Sequence, residues 1–78
     1  LSKYYPLENY LKKSQKQKET LTYEEIEKIL GFTLPKFAYQ YRQWWENGGG
    51  HTQANSWLNA GWKVDVVDMG EVVKFIKL

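Results

Sequence analysis

The stretch from His51 to Leu78 reads HTQANSWLNAGWKVDVVDMGEVVKFIKL, and a change of rhythm inside it decides the fold. Up to Ala60, the apolar residues Ala54, Trp57 and Leu58 recur at helical spacing, with Thr52 placed as the N-cap and Gly61 as the stop. From Trp62 onward, WKVDVVD alternates apolar and polar residues, and EVVKFIKL is rich in β-branched and aromatic side chains. Asp68-Met69-Gly70-Glu71 separates the two runs as a tight hairpin connection in which Gly70 can take a positive φ. The spacing therefore predicts a short helix running into an antiparallel β-hairpin. Val64, Val66, Val73 and Phe75 are expected on the buried face.

Upstream, LTYEEIEKILG carries the strongest local signal. Thr22 and Glu25 form the T-x-x-E capping box, which satisfies two otherwise orphan N–H groups, and Leu21 and Ile26 are placed as its hydrophobic staple. Tyr23, Ile26, Ile29 and Leu30 then make an apolar stripe that ends at Gly31, where a left-handed cap is wanted. Pro35 opens PKFAYQYRQWWEN, in which Phe37, Ala38, Tyr41, Trp44 and Trp45 recur as a core-facing stripe. This predicts a helix over 35–46, ended by Gly48–Gly50, because glycine costs about 1 kcal/mol relative to alanine in a helix interior. Further back, Pro6 can sit in the first turn of a helix containing Leu7, Tyr10 and Leu11, which fades into SQKQKE. Thr20–Leu21 can add an extended edge piece. The sum is one α+β domain over residues 1–78, a small helical domain of about four helices with a C-terminal antiparallel β-hairpin.

Composition narrows the classes of function. Seventy-eight residues lie close to the lower size at which a single core suffices, and the 17% aromatic content supplies large buried area per residue. Cysteine is absent, so disulfides and thiolate metal sites are excluded, and a reducing cytoplasm is the expected home. No apolar run approaches the roughly 20 residues of a membrane span, and no signal-like segment opens the chain. Net charge is only +2, but residues 1–20 carry five lysines against two glutamates. That basic segment permits a polyanionic partner without demanding one.

The order helix, helix, helix, helix, hairpin resembles a winged helix-turn-helix from about Thr20 to Leu78. LTYEEIEKILG is similar to its supporting helix, and HTQANSWLNAGWKVDVVDMGEVVKFIKL to a recognition helix running into a wing. One departure is visible: the expected 35–46 helix stands where a turn of about three or four residues belongs. The whole chain also resembles a small bacterial domain family of unassigned function, through YYPLENYL, LTYEEIEKILG and the later WW…H.QA..WLNAGW.V..VD. That likeness implies a compact prokaryotic module and brings no activity with it.

The residues themselves offer one polar constellation. Thr52, Gln53, Asn55, Ser56 and Asn59 make an uncharged hydrogen-bonding flank on the last helix. Asn and Gln match the N6/N7 edge of adenine bidentately, and Ser and Thr bond several base edges or phosphates. A flank meant only for solubility would more usually carry Glu and Lys, the better helix formers. His51, just before that helix, suits a phosphate contact or a structural cap better than catalysis, since no second histidine and no cysteine accompany it. Glu46, Asp65, Asp68 and Glu71 are not spaced as a metal site. Gly48–Gly50 lack the Lys-Ser/Thr of a nucleotide-binding loop. Of the four tryptophans, Trp57 and one of Trp44 and Trp45 are expected in the core, with Trp62 sealing the helix–hairpin junction.

These readings converge on a non-catalytic, cofactor-free module that binds double-stranded DNA. The helix over 52–60 is expected in the major groove and the 62–78 hairpin as the wing, with Arg42, Lys63, Lys16 and Lys18 neutralising phosphates. So few cations imply modest affinity, hence a homodimer or a fused neighbour for specific binding. The alternative is a protein-interaction module that docks through the 35–46 segment and the hairpin edge.

Overall fold

A computed structural model describes residues 1–78. Helix α1 spans Tyr5–Lys13 with Pro6 in its first turn, and it buries Leu7 and Leu11. Strand β1 (Lys18–Thr22) runs directly into helix α2 (Tyr23–Leu30). The junction is the expected capping box: Thr22 N–H donates to the Glu25 carboxylate at 2.9 Å, and Glu25 N–H donates to Thr22 Oγ1 at 3.0 Å. Leu21 and Ile26 are both buried beside it, and Gly31 takes φ 85° at the other end. Glu27 then secures the connection that follows, accepting from Leu34 N–H at 2.7 Å and from the Tyr39 hydroxyl at 2.8 Å.

The C-terminal half contains helix α4 (Thr52–Asn59) and strands β2 (Trp62–Asp68) and β3 (Val72–Lys77). The hairpin is part of a three-stranded antiparallel sheet, because β1 pairs with β3 to give the order β1-β3-β2. Registered residues share a face of the sheet, so Leu21, Val73 and Val67 point inward together, as do Val64 and Phe75. Val66 does not join them. The register slips between Val64 and Val66, leaving Asp65 as the extra residue of a bulge, and Val66 pairs opposite Lys74 on the outer face. The expectation of a buried Val66 is thereby corrected, and Val67 takes the inward place.

The helix expected over 35–46 is also corrected. Helix α3 covers only Lys36–Gln40, Tyr41 is extended (φ −126°, ψ 122°), and a single 3-10 turn follows over Arg42–Trp45. The reason lies at one carbonyl. In a continuous helix Ala38 C=O would accept from Arg42 N–H. Here it accepts instead from the Tyr23 hydroxyl at 2.7 Å and from Trp45 Nε1 at 2.9 Å, both buried. Breaking the helix turns Trp45 into the centre of the molecule, stacked on Trp57 (5.9 Å between ring centroids, 19° between planes), which meets Phe75 edge-on. Trp45, Trp57 and Trp62 are fully buried. Each such ring removes enough apolar area from water for about 4–6 kcal/mol of transfer free energy, which is how a chain without staples builds a core.

Candidate nucleic-acid interface

Helix α4 packs on α1 and on the inner face of the sheet, with Ala54 and Trp57 as its buried side and Leu58 half-buried against the same core. Its N-cap is His51, which makes no side-chain capping bond, and Thr52 is the first helical residue rather than the cap. Of the five polar residues expected to face outward, Thr52 and Asn59 are exposed, and Gln53 and Asn55 are half-exposed. Ser56 is buried, and its hydroxyl donates back to Gln53 C=O at 2.6 Å. Helix α1 packs on α4, and Ser56 lies in the same groove as Tyr5 and Glu8 of α1. Thr52, Asn55, Ser56 and Asn59 line a polar groove of about 260 Å³ whose other wall includes Ser2, Tyr5 and Glu8. The Glu8 carboxylate in that wall is paired with Lys12 at 2.8 Å.

The corner leading into α4 is held by Asn47, a residue that the motifs of the sequence do not single out. Asn47 Oδ1 accepts from Trp57 Nε1 at 2.9 Å and from Val64 N–H at 2.8 Å, while Nδ2 donates to Val64 C=O at 2.8 Å. One amide thus ties the 3-10 turn, α4 and the free edge of β2 together. An Asn placed between a helical segment and three glycines is the only local signal of that role.

Beside this corner the broken helix leaves an open cleft of about 420 Å³, lined by Phe37, Tyr41, Gln43, Trp44, His51 and Gln53. Gln53 Nε2 reaches Trp44 C=O at 3.4 Å across it. The helical periodicity of 35–46 predicts Phe37 and Tyr41 on the inside; both are exposed, and Trp44 is half-buried.

The cations are distributed over two sides. Lys18 and Lys63 both register on Ile76, so they leave the sheet on its outer face, with Lys74 in the next row. Phe75 and Trp57 meet on the inner face, so Lys18 and Lys63 are brought to each other and not to α4. Lys16 belongs to the β1 approach, where its backbone N–H donates to Ser14 Oγ, and it shares a shallow hollow with Tyr10 and Glu19. Glu19 is buried and accepts from the Ser14 and Tyr10 hydroxyls. Burial first, then the Glu19 charge, pushes the Tyr10 phenol above its ordinary range. Arg42 directly follows Tyr41 of the aromatic cleft and is exposed. No three His, Asp or Glu side chains converge to hold a metal ion. No helix is long and apolar enough to cross a membrane.

Over residues 4–78 the chain matches the family described as Domain of unknown function (DUF7662), and it belongs to that family. No curated protein and no solved structure matches it.

Proposed function

We propose that this chain is a double-stranded DNA-binding module of winged-helix type, with α4 in the major groove and the β2–β3 hairpin as the wing. The element order supports the winged-helix part: helix, strand and helix first, then α4 and a hairpin whose β3 lies between β2 and β1. The inserted α3 and 3-10 turn keep α2 from serving as a close partner of α4, whose neighbours are α1 and β2. The observation that carries the functional reading is α4 itself. Its eight residues hold no charge, and it offers Thr52 and Asn59 fully and Gln53 and Asn55 in part. Amides of this kind read base edges, whereas phosphate contact alone would call for lysine and arginine.

The test is a fluorescence-anisotropy titration of mixed-sequence duplex at low and moderate salt. Binding should weaken with salt, with a shallow slope set by few phosphate contacts. Asn55→Ala combined with Asn59→Ala should cost about 1–3 kcal/mol for each bidentate amide–base pairing that the substitutions remove. Absence of duplex binding at low salt, or binding indifferent to that double substitution, overturns the reading. The protein-interaction alternative draws on the exposed Phe37 and Tyr41. Its hairpin-edge component is weaker, because the Asn47 amide already occupies both backbone groups of Val64 on that edge.

A further inference from the structure

We propose that the aromatic cleft at the start of α4 holds an unstacked nucleobase from a single-stranded segment. This rests on the nucleic-acid reading only in taking the same class of partner; it assigns a site centred on Phe37 and Tyr41, which α4 in a groove does not use, with His51 and Gln53 at the border of the two. The cleft is open, and its volume of about 420 Å³ accommodates a base with part of its sugar. Phe37 and Tyr41 form one wall with ring centroids 5.5 Å apart and are 60% and 51% exposed, while Trp45, four residues beyond Tyr41, is completely buried. Rings left in water at the side of a core that had room for Trp45 have no packing reason to be there. Every base has a π-face, so such rings make a sequence-tolerant stacking platform.

The polar members of the cleft fit the same occupant. The amides of Gln43 and Gln53 present donors and acceptors together, as the edge of a base requires, His51 adds ring nitrogens, and no carboxylate lines the site. Gln53 is held by one long bond to Trp44 C=O, and the His51 ring makes no capping bond to α4. Charge selects the kind of chain that carries the base. Lys36 and Arg42 precede Phe37 and follow Tyr41 in the chain, and both are exposed. Neither takes part in an ion pair, the two in the molecule being Lys12–Glu8 and Lys28–Glu24. An acid-free aromatic cleft whose two wall residues are each next in the chain to an exposed, unpaired cation suits a polyanionic backbone better than a peptide.

The experiment compares three labelled probes with the full chain by fluorescence anisotropy: a blunt duplex, the same duplex with an oligothymidine tail, and the oligothymidine alone. The tail should tighten binding by about fivefold to 150-fold for one stacked base. Phe37→Ala and Tyr41→Ala should each remove most of that gain and leave blunt-duplex affinity unchanged. Phe37→Trp, which keeps a stacking surface, should retain it. Because both rings are exposed, far-UV circular dichroism should report an unaltered fold in each variant. Duplex binding without any gain from the tail overturns the cleft inference and leaves the α4 reading standing. Oligothymidine binding that depends on Phe37 and Tyr41, without duplex binding, upholds the cleft and overturns the α4 reading. Failure of all three probes overturns both, and displacement of the tail by an equal concentration of a proline-rich peptide identifies a protein-docking cleft and overturns the inference.

Discussion

Replacing Asn47 by alanine is the sharpest test of how this fold holds its candidate site. The substitution deletes an exposed side chain, and a surface position of that kind ordinarily changes stability by about 0.5 kcal/mol or less. The structure requires far more. Three hydrogen bonds converge on this amide, from Trp57 Nε1, from Val64 N–H and to Val64 C=O, all between 2.8 and 2.9 Å. A buried polar group left unpaired costs about 1–3 kcal/mol, so three of them would set an upper limit near about 9 kcal/mol. Val64 lies on the free edge of β2, and water can replace the amide at its two backbone groups once the side chain is gone. The Trp57 N–H belongs to a fully buried indole, so it carries the larger share of the penalty.

A loss of about 2–4 kcal/mol follows, which for a domain of this size lowers Tm by roughly 10–25 °C. Urea and thermal unfolding followed by tryptophan fluorescence measure it directly, since Trp57 itself reports the site. Asn47→Asp keeps an acceptor for Trp57 Nε1 and Val64 N–H but loses the donor to Val64 C=O, and should fall between the wild type and alanine. Asn59→Ala, at an exposed position with no such bonds, is the control. If Asn47→Ala unfolds within about 0.5 kcal/mol of the control, the clamp contributes nothing and the reasoning fails.

The bulge at Asp65 separates two valines that look equivalent in the sequence: Val64→Ala should cost about 2 kcal/mol, from reduced transfer free energy plus a cavity, and Val66→Ala about 0.5 kcal/mol or less. Equal effects in urea titrations would place the register elsewhere. Thr22→Ala should destabilise by about 1 kcal/mol through removal of the α2 cap, again read from urea midpoints. The Glu25 carboxyl is held below its ordinary value by the hydrogen bonds from Thr22, first the backbone N–H. Its folded-state pKa is depressed, so its contribution is fully present above the unfolded value near about 4.3 and is lost as pH falls through the folded value. Thermal scans at descending pH should show a shallower decline for Glu25→Gln than for wild type, and parallel declines would contradict the capping geometry.

What the sequence made legible was short in range. The capping box, its Leu21–Ile26 staple and the left-handed Gly31 need only a few consecutive residues, and each is built as the pattern requires. The helix–hairpin junction and the inward placement of Trp57 and Phe75 were legible for the same reason: the change of period at Trp62 is a local signal. Val66 was misplaced because VDVV offers two alternations, and only pairing with β3, which depends on distant residues, selects the one that turns Val67 inward. Ser56 is misplaced because a serine beside amides reads as surface, while the packing of α1 on α4 is invisible to local pattern. The outward direction of the α4 flank was therefore legible in part, at Thr52 and Asn59, and the sequence held no register to show that Lys18 and Lys63, read as phosphate neutralisers, lie on the other face of the sheet.

The misread 35–46 segment joins fold and site most closely. Its stripe at helical spacing correctly marked Ala38 and Trp45 as interior, since both are completely buried. A straight helix could bury the pair only by turning Phe37, Tyr41 and Trp44 in the same direction. With the Ala38 carbonyl taken by the Tyr23 hydroxyl and the Trp45 indole, the chain unwinds at Tyr41, and Trp45 reaches the core on a separate turn. Phe37 and Tyr41 are released to solvent by the same event, and they stand beside the first turn of α4 in a cleft that Trp44 also lines. The break that completes the core therefore also creates the cleft, which explains why so small a domain has aromatic surface to spare at one place. Tyr23→Phe separates the two consequences. It removes one of the two donors to Ala38 while Trp45 Nε1 keeps the other, so stability should fall by about 1 kcal/mol in urea titrations. Trp45 should stay buried and Phe37 and Tyr41 exposed. A variant as stable as wild type, or one whose added helicity by circular dichroism shows residues 36–45 joining into one helix, would mean that the Tyr23 hydroxyl is not a determinant as argued.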